Sequence, residues 1–461
     1  MRSSSVPKVV EAMEAAEQGT GPAANARAEP RRLLVITYVF PPDGAVGGLR
    51  WAGFSKYLAR RGWEIHVITA AHGDANTVPS SVNRHVVTRR RTLNDVYNGA
   101  ARSIRSRAGG GGRKLLTAKT AASSSPSLPI GPVRQFLRNA LVFPDVGRGW
   151  IQRAAAAARR LLREQRFDVV VSSGPPHSCH IVGLLATLGS DTPFIMDMRD
   201  PWRQTHKNWS AYPTGAGWFE SVVRVIQVVL FRRARMVLVN TPQFAERMER
   251  EHPNVSVAYV RNGIDLDGLP DRTDVRLPGL TLSYIGTLYV GRNFSTVLNG
   301  LQSLRKERPT AASNVRVHVA GHMDAPNQAR LDQALRALGL SDLVELHGPL
   351  PRREALELLC QSHVALVLAQ EQPMQIPAKL YECIALAVPT LVITEAGSAA
   401  ALEAERLGAM TLDPDDVDGM RAILDDLVDG KVPTRMLARA PISYEALAAR
   451  MDTVLRGQLT T

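Results

Sequence analysis

Short apolar runs alternate with stretches of helical periodicity along most of this chain. Runs rich in Val, Ile and Leu, without polar alternation, predict strands buried on both faces, as in a parallel sheet covered by helices. In the first half these runs are Leu33–Tyr38, Ile65–Thr69, Val169–Ser172, Phe194–Met198, Met236–Asn240 and Val255–Val260. Helical patterns such as Leu49–Arg60 and Trp150–Glu164 lie between them. The series then restarts with Leu280–Ile285, Val315–Ala320, Val344–His347, Val364–Leu368 and Thr390–Ile393. Ser295–Arg305, Ala329–Leu338, Arg353–Cys360 and Lys379–Ala387 supply the intervening helices. The predicted class is α/β, with two doubly wound lobes. Ligands of such sheets bind outside the carboxyl ends of the strands, so the two lobes are expected to face a shared central cleft.

Length and composition agree with two cores: 461 residues, 45% hydrophobic. The polar segment Asp265–Pro278 contains two prolines and reads as a linker. The expected organisation is a disordered tail over 1–30, a first lobe over 31–264, the linker 265–278, a second lobe over 279–432 and a C-terminal segment over 433–461. The tail lacks the long apolar core of a signal peptide, and no stretch reaches the length that spans a bilayer. The three cysteines, Cys179, Cys360 and Cys383, have neither disulfide-framework nor zinc spacing, which points to a reducing cytoplasm.

The formal charge of +13 is partly local. Between Arg84 and Lys119 stand ten Lys or Arg residues and one acid, Asp95, around the glycines 109–112. Residues 100–126 therefore read as a mobile basic loop, either a solvated insertion or a contact for an anionic membrane surface. Nucleic acid is not an expected partner, because aromatic content is 5% and no DNA- or RNA-binding motif occurs. The apolar stretch within Glu220–Arg235, with basic residues at its end, reads as a buried helix or as one lying on a membrane surface.

Five motifs sit just past strands. Gly47 and Gly48, after the first strand, permit close backbone approach to a ligand at a helix start. Ser172–Ser178 carries His177, able to hydrogen-bond a sugar or phosphate. Asp197–Trp202 offers Asp200 for an acceptor hydroxyl and Trp202 as a stacking face, while Asp197 and Arg199 suit a structural network equally well. Gly286–Asn293 places glycines and Arg292 where a diphosphate fits, and it lacks the Lys and Ser/Thr of a nucleotide-hydrolysing P-loop. Gln375–Glu382 combines Pro377, Lys379, Leu380 and Glu382 in one helix start. There, free amides and a base face a phosphate, and a carboxylate can accept ribose hydroxyls. Each residue alone also has a purely structural reading.

In order and spacing these pieces resemble glycosyltransferase family 4. The resemblance runs from Leu33 to Leu455 and includes Phe143-Pro144-Asp145 with Trp150, and Arg261–Asp265. It is nearest to bacterial enzymes that build cell-surface polysaccharides and glycolipids. It implies a GT-B fold, retention of anomeric configuration, and a C-terminal helix within Ser443–Leu455 that crosses back to the first lobe. It also implies a nucleotide-sugar donor, UDP- or GDP-linked, held mainly by the second lobe, with no further cofactor and no metal. Arg292 and Lys379 match the family's diphosphate-binding bases, Glu382 the ribose-binding acid, and Gly47 and Gly48 the loop near the donor phosphates. His177 falls near a sugar-contacting histidine. Gly286 and Leu380 belong to the same donor motifs. The acceptor implied is a glycan or a lipid-linked one. One departure stands out: the family often carries a second Glu eight positions before the ribose-binding acid, and here that position is Met374. A nucleotide-sugar epimerase, a non-catalytic partner subunit and a membrane- or nucleic-acid-binding scaffold remain as alternatives.

Overall fold

The computed structural model describes residues 30–41, 46–70, 82–92, 95, 136, 140–202, 217–271, 273–288, 291–431 and 440–459. The expected basic loop 100–126, and all but the last residue of the expected tail, lie outside them. The chain forms two compact units. The first is Met1–Asn240, Ala245–Val260 and Ala448–Thr461, and the second is Thr241–Phe244 and Arg261–Leu447.

In the first unit seven parallel strands form one sheet: β1 (Arg31–Thr37), β2 (Trp63–Thr69), β3 (Val82–Val86), β4 (Val169–Gly174), β5 (Phe194–Met198), β6 (Met236–Val239) and β7 (Val257–Tyr259). Their order is β3-β2-β1-β4-β5-β6-β7. The central strand β1 has Leu33, Leu34, Val35 and Ile36 fully buried, which is why it reads as an unbroken apolar run. Burying each such side chain contributes about 1.5–3 kcal/mol. The helix Ile151–Glu164 places Ala154, Ala155, Ala158 and Leu161 on its buried face, and small side chains there allow close approach to its neighbours.

The helix Gly217–Arg233 is buried on one side only. It buries Phe219, Val223, Leu230 and Phe231, yet leaves Val225, Val228 and Val229 exposed, at 64%, 39% and 47%. Arg224 and Arg232 are exposed beside them. Among the described residues no helix is long and apolar enough to cross a membrane.

The second unit has six parallel strands: β8 (Leu280–Ile285), β9 (Val315–Ala320), β10 (Val344–Gly348), β11 (Val364–Leu368), β12 (Thr390–Ile393) and β13 (Met410–Leu412), in the order β10-β9-β8-β11-β12-β13. The period of two divides its side chains between two cores. Leu282, Tyr284, Val317 and Val319 enter one core, and Ile285, Ala320, Ala365 and Val367 the other.

Both sheets reverse direction of winding once, between β1 and β4 and between β8 and β11. Crevices outside the strand ends at such switch points are where doubly wound folds hold ligands. The segment 265–278, expected as a linker, packs on the second unit. Leu266 and Leu269 lie against its core, and Arg276 donates to the carbonyls of Cys360 and Ser362 at 2.8 and 2.9 Å. At the other end, within the helix Tyr444–Arg456, Asp452 accepts from Trp63 Nε1 at 2.7 Å and pairs with Arg61. That bond ties the last helix to β2, as the resemblance implies.

Candidate active site

The second-unit motifs meet at the β8/β11 switch point. Gly286 ends β8 with φ +151 and donates from its amide to Ala320 O at 2.8 Å. Its carbonyl is so close to Gly321 that a Cβ there has no room. The loop beyond β8 is laced to the loop beyond β11 by two glutamines. Gln370 Nε2 donates to Asn293 O at 2.8 Å, and Arg292 Nη2 donates to Gln372 Oε1 at 3.0 Å. With Oε1 taken, Gln372 keeps a buried Nε2 that has no partner among the described residues. Buried donors of that kind call for an explanation, and a ligand oxygen supplies one. Glu371 adopts φ +58, and its carboxylate lies against Gly291, one residue before Arg292.

The same loop ends in the helix Ala378–Ala385, whose N-cap Pro377 has no side chain to accept from the first-turn amides. Leu380 is buried, and its amide donates to Pro377 O at 3.0 Å, so it closes this turn. Lys379 Nζ stands 2.7 Å from Glu382 Oε2, and Arg352 Nη1 reaches the other carboxylate oxygen at 2.5 Å. Burial raises the Glu382 pKa, but the Lys379 and Arg352 charges outweigh it and hold this carboxyl below the usual range. It is therefore an anion at neutral pH, with lone pairs shared between two bases. Arg352 is half exposed, so the pair is worth little in stability. Its consequence is orientation. Arg352→Ala should raise the KM for the expected nucleotide-sugar donor roughly two- to fivefold with kcat nearly unchanged, in steady-state kinetics. An unchanged KM would remove Arg352 from the site.

In the first unit the motifs also sit at strand ends, and Arg199 joins three of them. Its guanidinium donates to Gly47 O, Gly174 O and Pro175 O, beyond β1 and β4. Gly47 and Gly48 lie inside the first turn of the helix Val46–Arg60, not ahead of it as the sequence predicts. A Cβ at Gly48 would come within 3.0 Å of Phe40 Cα, so this helix starts hard against the β1 exit. Asp197 is fully buried and structural. It accepts from Arg50, Trp51 Nε1 and Ser173. Asp200 is partly buried in the turn after β5.

His177 is fully buried at the N-cap of the helix Ser178–Thr187. It stacks on Trp202, with ring centroids 4.8 Å apart and 12° between planes. Trp202 is itself fully buried, so its face is spent on His177 and the expected sugar-stacking role does not fit this conformation. Burial, with His180 and Arg199 adding to it, pushes the His177 pKa well below its ordinary value.

Sequence reasoning missed Gln370, Arg352 and the role of Asp145, and it left Gln372 without a role. Asp145 accepts from the amides of Gly147 and Ser178, both at 2.9 Å, and so fixes the His177 loop. Gln370 and Gln372 had a usable signal: both follow a buried strand at a switch point.

Comparison with known proteins agrees with this architecture. The chain has the fold of the GT-B glycosyltransferases. Sucrose-phosphate synthase from Thermosynechococcus elongatus superposes with a TM-score of 0.62 at 13% identity, covering 93% of this chain and 98% of that one. Anabaena HepE, solved with UDP and glucose, gives 0.60 at 12%, covering 93% and 100%. An α,α-trehalose-phosphate synthase (UDP-forming) from Burkholderia xenovorans, solved with glucose-6-phosphate, gives 0.59 at 13%, covering 93% and 99%. No curated protein matches the chain by sequence. Residues 47–263 match the family model of the glycosyl transferase 4-like domain.

Proposed function

We propose that the protein moves a sugar from a nucleoside-diphosphate sugar to a glycan or lipid-linked acceptor of the cell envelope, with retention and without a metal ion. The observation that carries this reading is the β8/β11 switch point. Its two loops are joined by the Arg292–Gln372 contact, with a Gln372 amide nitrogen left to spare, and the second leads into the helix start that pairs Lys379 with the ionised Glu382. UDP is favoured as the nucleotide, because HepE is solved with UDP and the trehalose-phosphate synthase is UDP-forming.

In this mechanism the anomeric C–O bond to the diphosphate breaks while the acceptor oxygen bonds the same carbon from the same face. The charge that develops on the leaving phosphate is met by Arg292, Lys379 and the amides of the Ala378–Ala385 helix start. Glu382 accepts the ribose hydroxyls. The departing phosphate oxygen takes the acceptor proton, so no side chain need serve as base. Glu371 and Gln372 are near Met374 in the chain but are not equivalent to the acid that it replaces. The test is product analysis with UDP- and GDP-sugars and a panel of glycan and lipid-linked acceptors. The expected product is a glycoside of unchanged anomeric configuration plus free nucleoside diphosphate. An epimerised nucleotide-sugar formed without acceptor would instead mark an epimerase. No turnover with any pair would favour a non-catalytic partner, the reading that Met374 supports.

The proposal places the enzyme in the cytoplasm, at the inner face of the plasma membrane. Support comes from the exposed Val225, Val228 and Val229 flanked by Arg224 and Arg232, together with the basic segment 100–126. The protein should sediment with anionic vesicles and not with neutral ones, and Val228→Glu should weaken that binding. Equal recovery with both vesicles would remove the membrane from the account.

A further inference from the structure

Two clusters of histidine and carboxylate lie outside the sites described so far, one in each sheet. In the first, His66 uses its two ring nitrogens in opposite directions. Nδ1 meets His85 Nε2 and Nε2 meets Glu64, each at 3.0 Å. A chain of contacts like this shares no central point. The second cluster is different.

Glu345 on the edge strand β10 is in register with His318 on β9. His347, two residues further along β10, points to the same face. The same nitrogen of His318, Nδ1, stands 2.9 Å from His347 Nε2 and 3.4 Å from a Glu345 oxygen. The other Glu345 oxygen is 3.7 Å from His347 Nδ1. One ligand atom from each of the three residues falls within 4.8 Å of the others. Tetrahedral bonds of about 2.0–2.1 Å require ligand atoms about 3.3 Å apart, so an ion would turn one His347 nitrogen toward both partners and draw the three residues together by no more than about 1.5 Å. His318 is 8% exposed, so the packing of β9 holds its ring in place. Arg316, two residues before His318 on β9, donates to Ser313 O and Val315 O.

We propose that His318, Glu345 and His347 form a binding site for a divalent transition-metal ion of the zinc class, pinning the edge strand β10 to β9. Two imidazoles and one carboxylate suit Zn²⁺ or Co²⁺ and not Mg²⁺, which prefers an all-oxygen shell. The Glu345 side chain is 62% exposed, so the remaining coordination position opens to water. The site rests on the edge-strand geometry alone and needs no part of the transfer chemistry.

The test is titration of metal-stripped full-length protein with Zn²⁺ by calorimetry and with Co²⁺ by visible absorption. His347→Ala and Glu345→Gln serve as variants, since both side chains are partly exposed and should leave the fold intact by circular dichroism. The wild type should bind one Zn²⁺ at this site, melt at a higher temperature with it, and give Co²⁺ the absorption of a four-coordinate ion. His347→Ala should weaken Zn²⁺ binding by at least roughly tenfold to 100-fold, the scale that even outer-shell changes reach. Glu345→Gln should weaken it by less. A wild type that binds no Zn²⁺, or binding that persists unchanged in His347→Ala, overturns the proposal.

Discussion

Lys379→Ala should lower sugar transfer by about 10²- to 10³-fold while leaving the circular dichroism spectrum and melting temperature close to wild type. Losing one donor aimed at developing charge typically costs about 2.7–4 kcal/mol of transition-state stabilisation. The proposed mechanism gives Lys379 that role; it stands at a helix start, 2.7 Å from Glu382, and is not a core residue. Arg292→Ala should act similarly, and the double variant should lose less than the product of the two, since the proposed mechanism has both bases serve one leaving group. Arg292→Lys should recover only part of the rate, because the planar fork that reaches Gln372 and a phosphate together is lost. The loss should fall on kcat more than on donor KM. Initial rates at saturating donor decide the matter, and wild-type turnover in either alanine variant would show that the diphosphate charge is met elsewhere.

The second large effect is acid sensitivity of the first unit. His180 is wholly buried and shares a 2.8 Å hydrogen bond with Ser172, and desolvation lowers its pKa to about 3. His177 is shifted in the same direction. Between the unfolded pKa, near 6.5, and the folded one, the unfolded chain binds the proton and the native state does not. Stability therefore rises with pH across that window and is lost as pH falls. His180 contributes about 1.4 kcal/mol per pH unit, or about 4–5 kcal/mol by pH 3, and His177 acts in the same direction. Asp145 opposes this in part, because burial raises its pKa and the native state then takes up a proton early. Urea unfolding followed by tryptophan fluorescence at pH 7.5, 6.5 and 5.5 should show a falling midpoint, and His180→Gln should flatten that fall. Parallel pH profiles for the two proteins would contradict it.

Much of the fold could be read in the residues because central parallel strands are covered on both sides. β1 and β11 declare themselves as unbroken apolar runs, and the restart of the pattern after Asp265 marks the second unit. The edge strand β3, Val-Asn-Arg-His-Val, escapes notice because one face is polar, and β13 is only three residues long. The segment 265–278 looks like a linker by its prolines, whereas Leu266 and Leu269 are committed to the second core. At the site, Lys379 and Glu382 are legible because they share one helix start. Arg352 and Arg199 are not, since each acts on a partner brought near by topology: Arg352 on Glu382, and Arg199 on the carbonyl of Gly47, 152 residues away. His177 and Trp202 illustrate the opposite limit, for the strand-end position of each was visible while their mutual burial was not.

The central claim is that the second unit grips a nucleoside diphosphate through Arg292 and Lys379. Calorimetric titration of the full-length protein with UDP, beside the two alanine variants, tests it most directly. The account predicts stoichiometric binding by the wild type, weakened at least roughly tenfold in each variant. Failure of UDP and GDP alike to bind, or equal affinity in all three proteins, would contradict it.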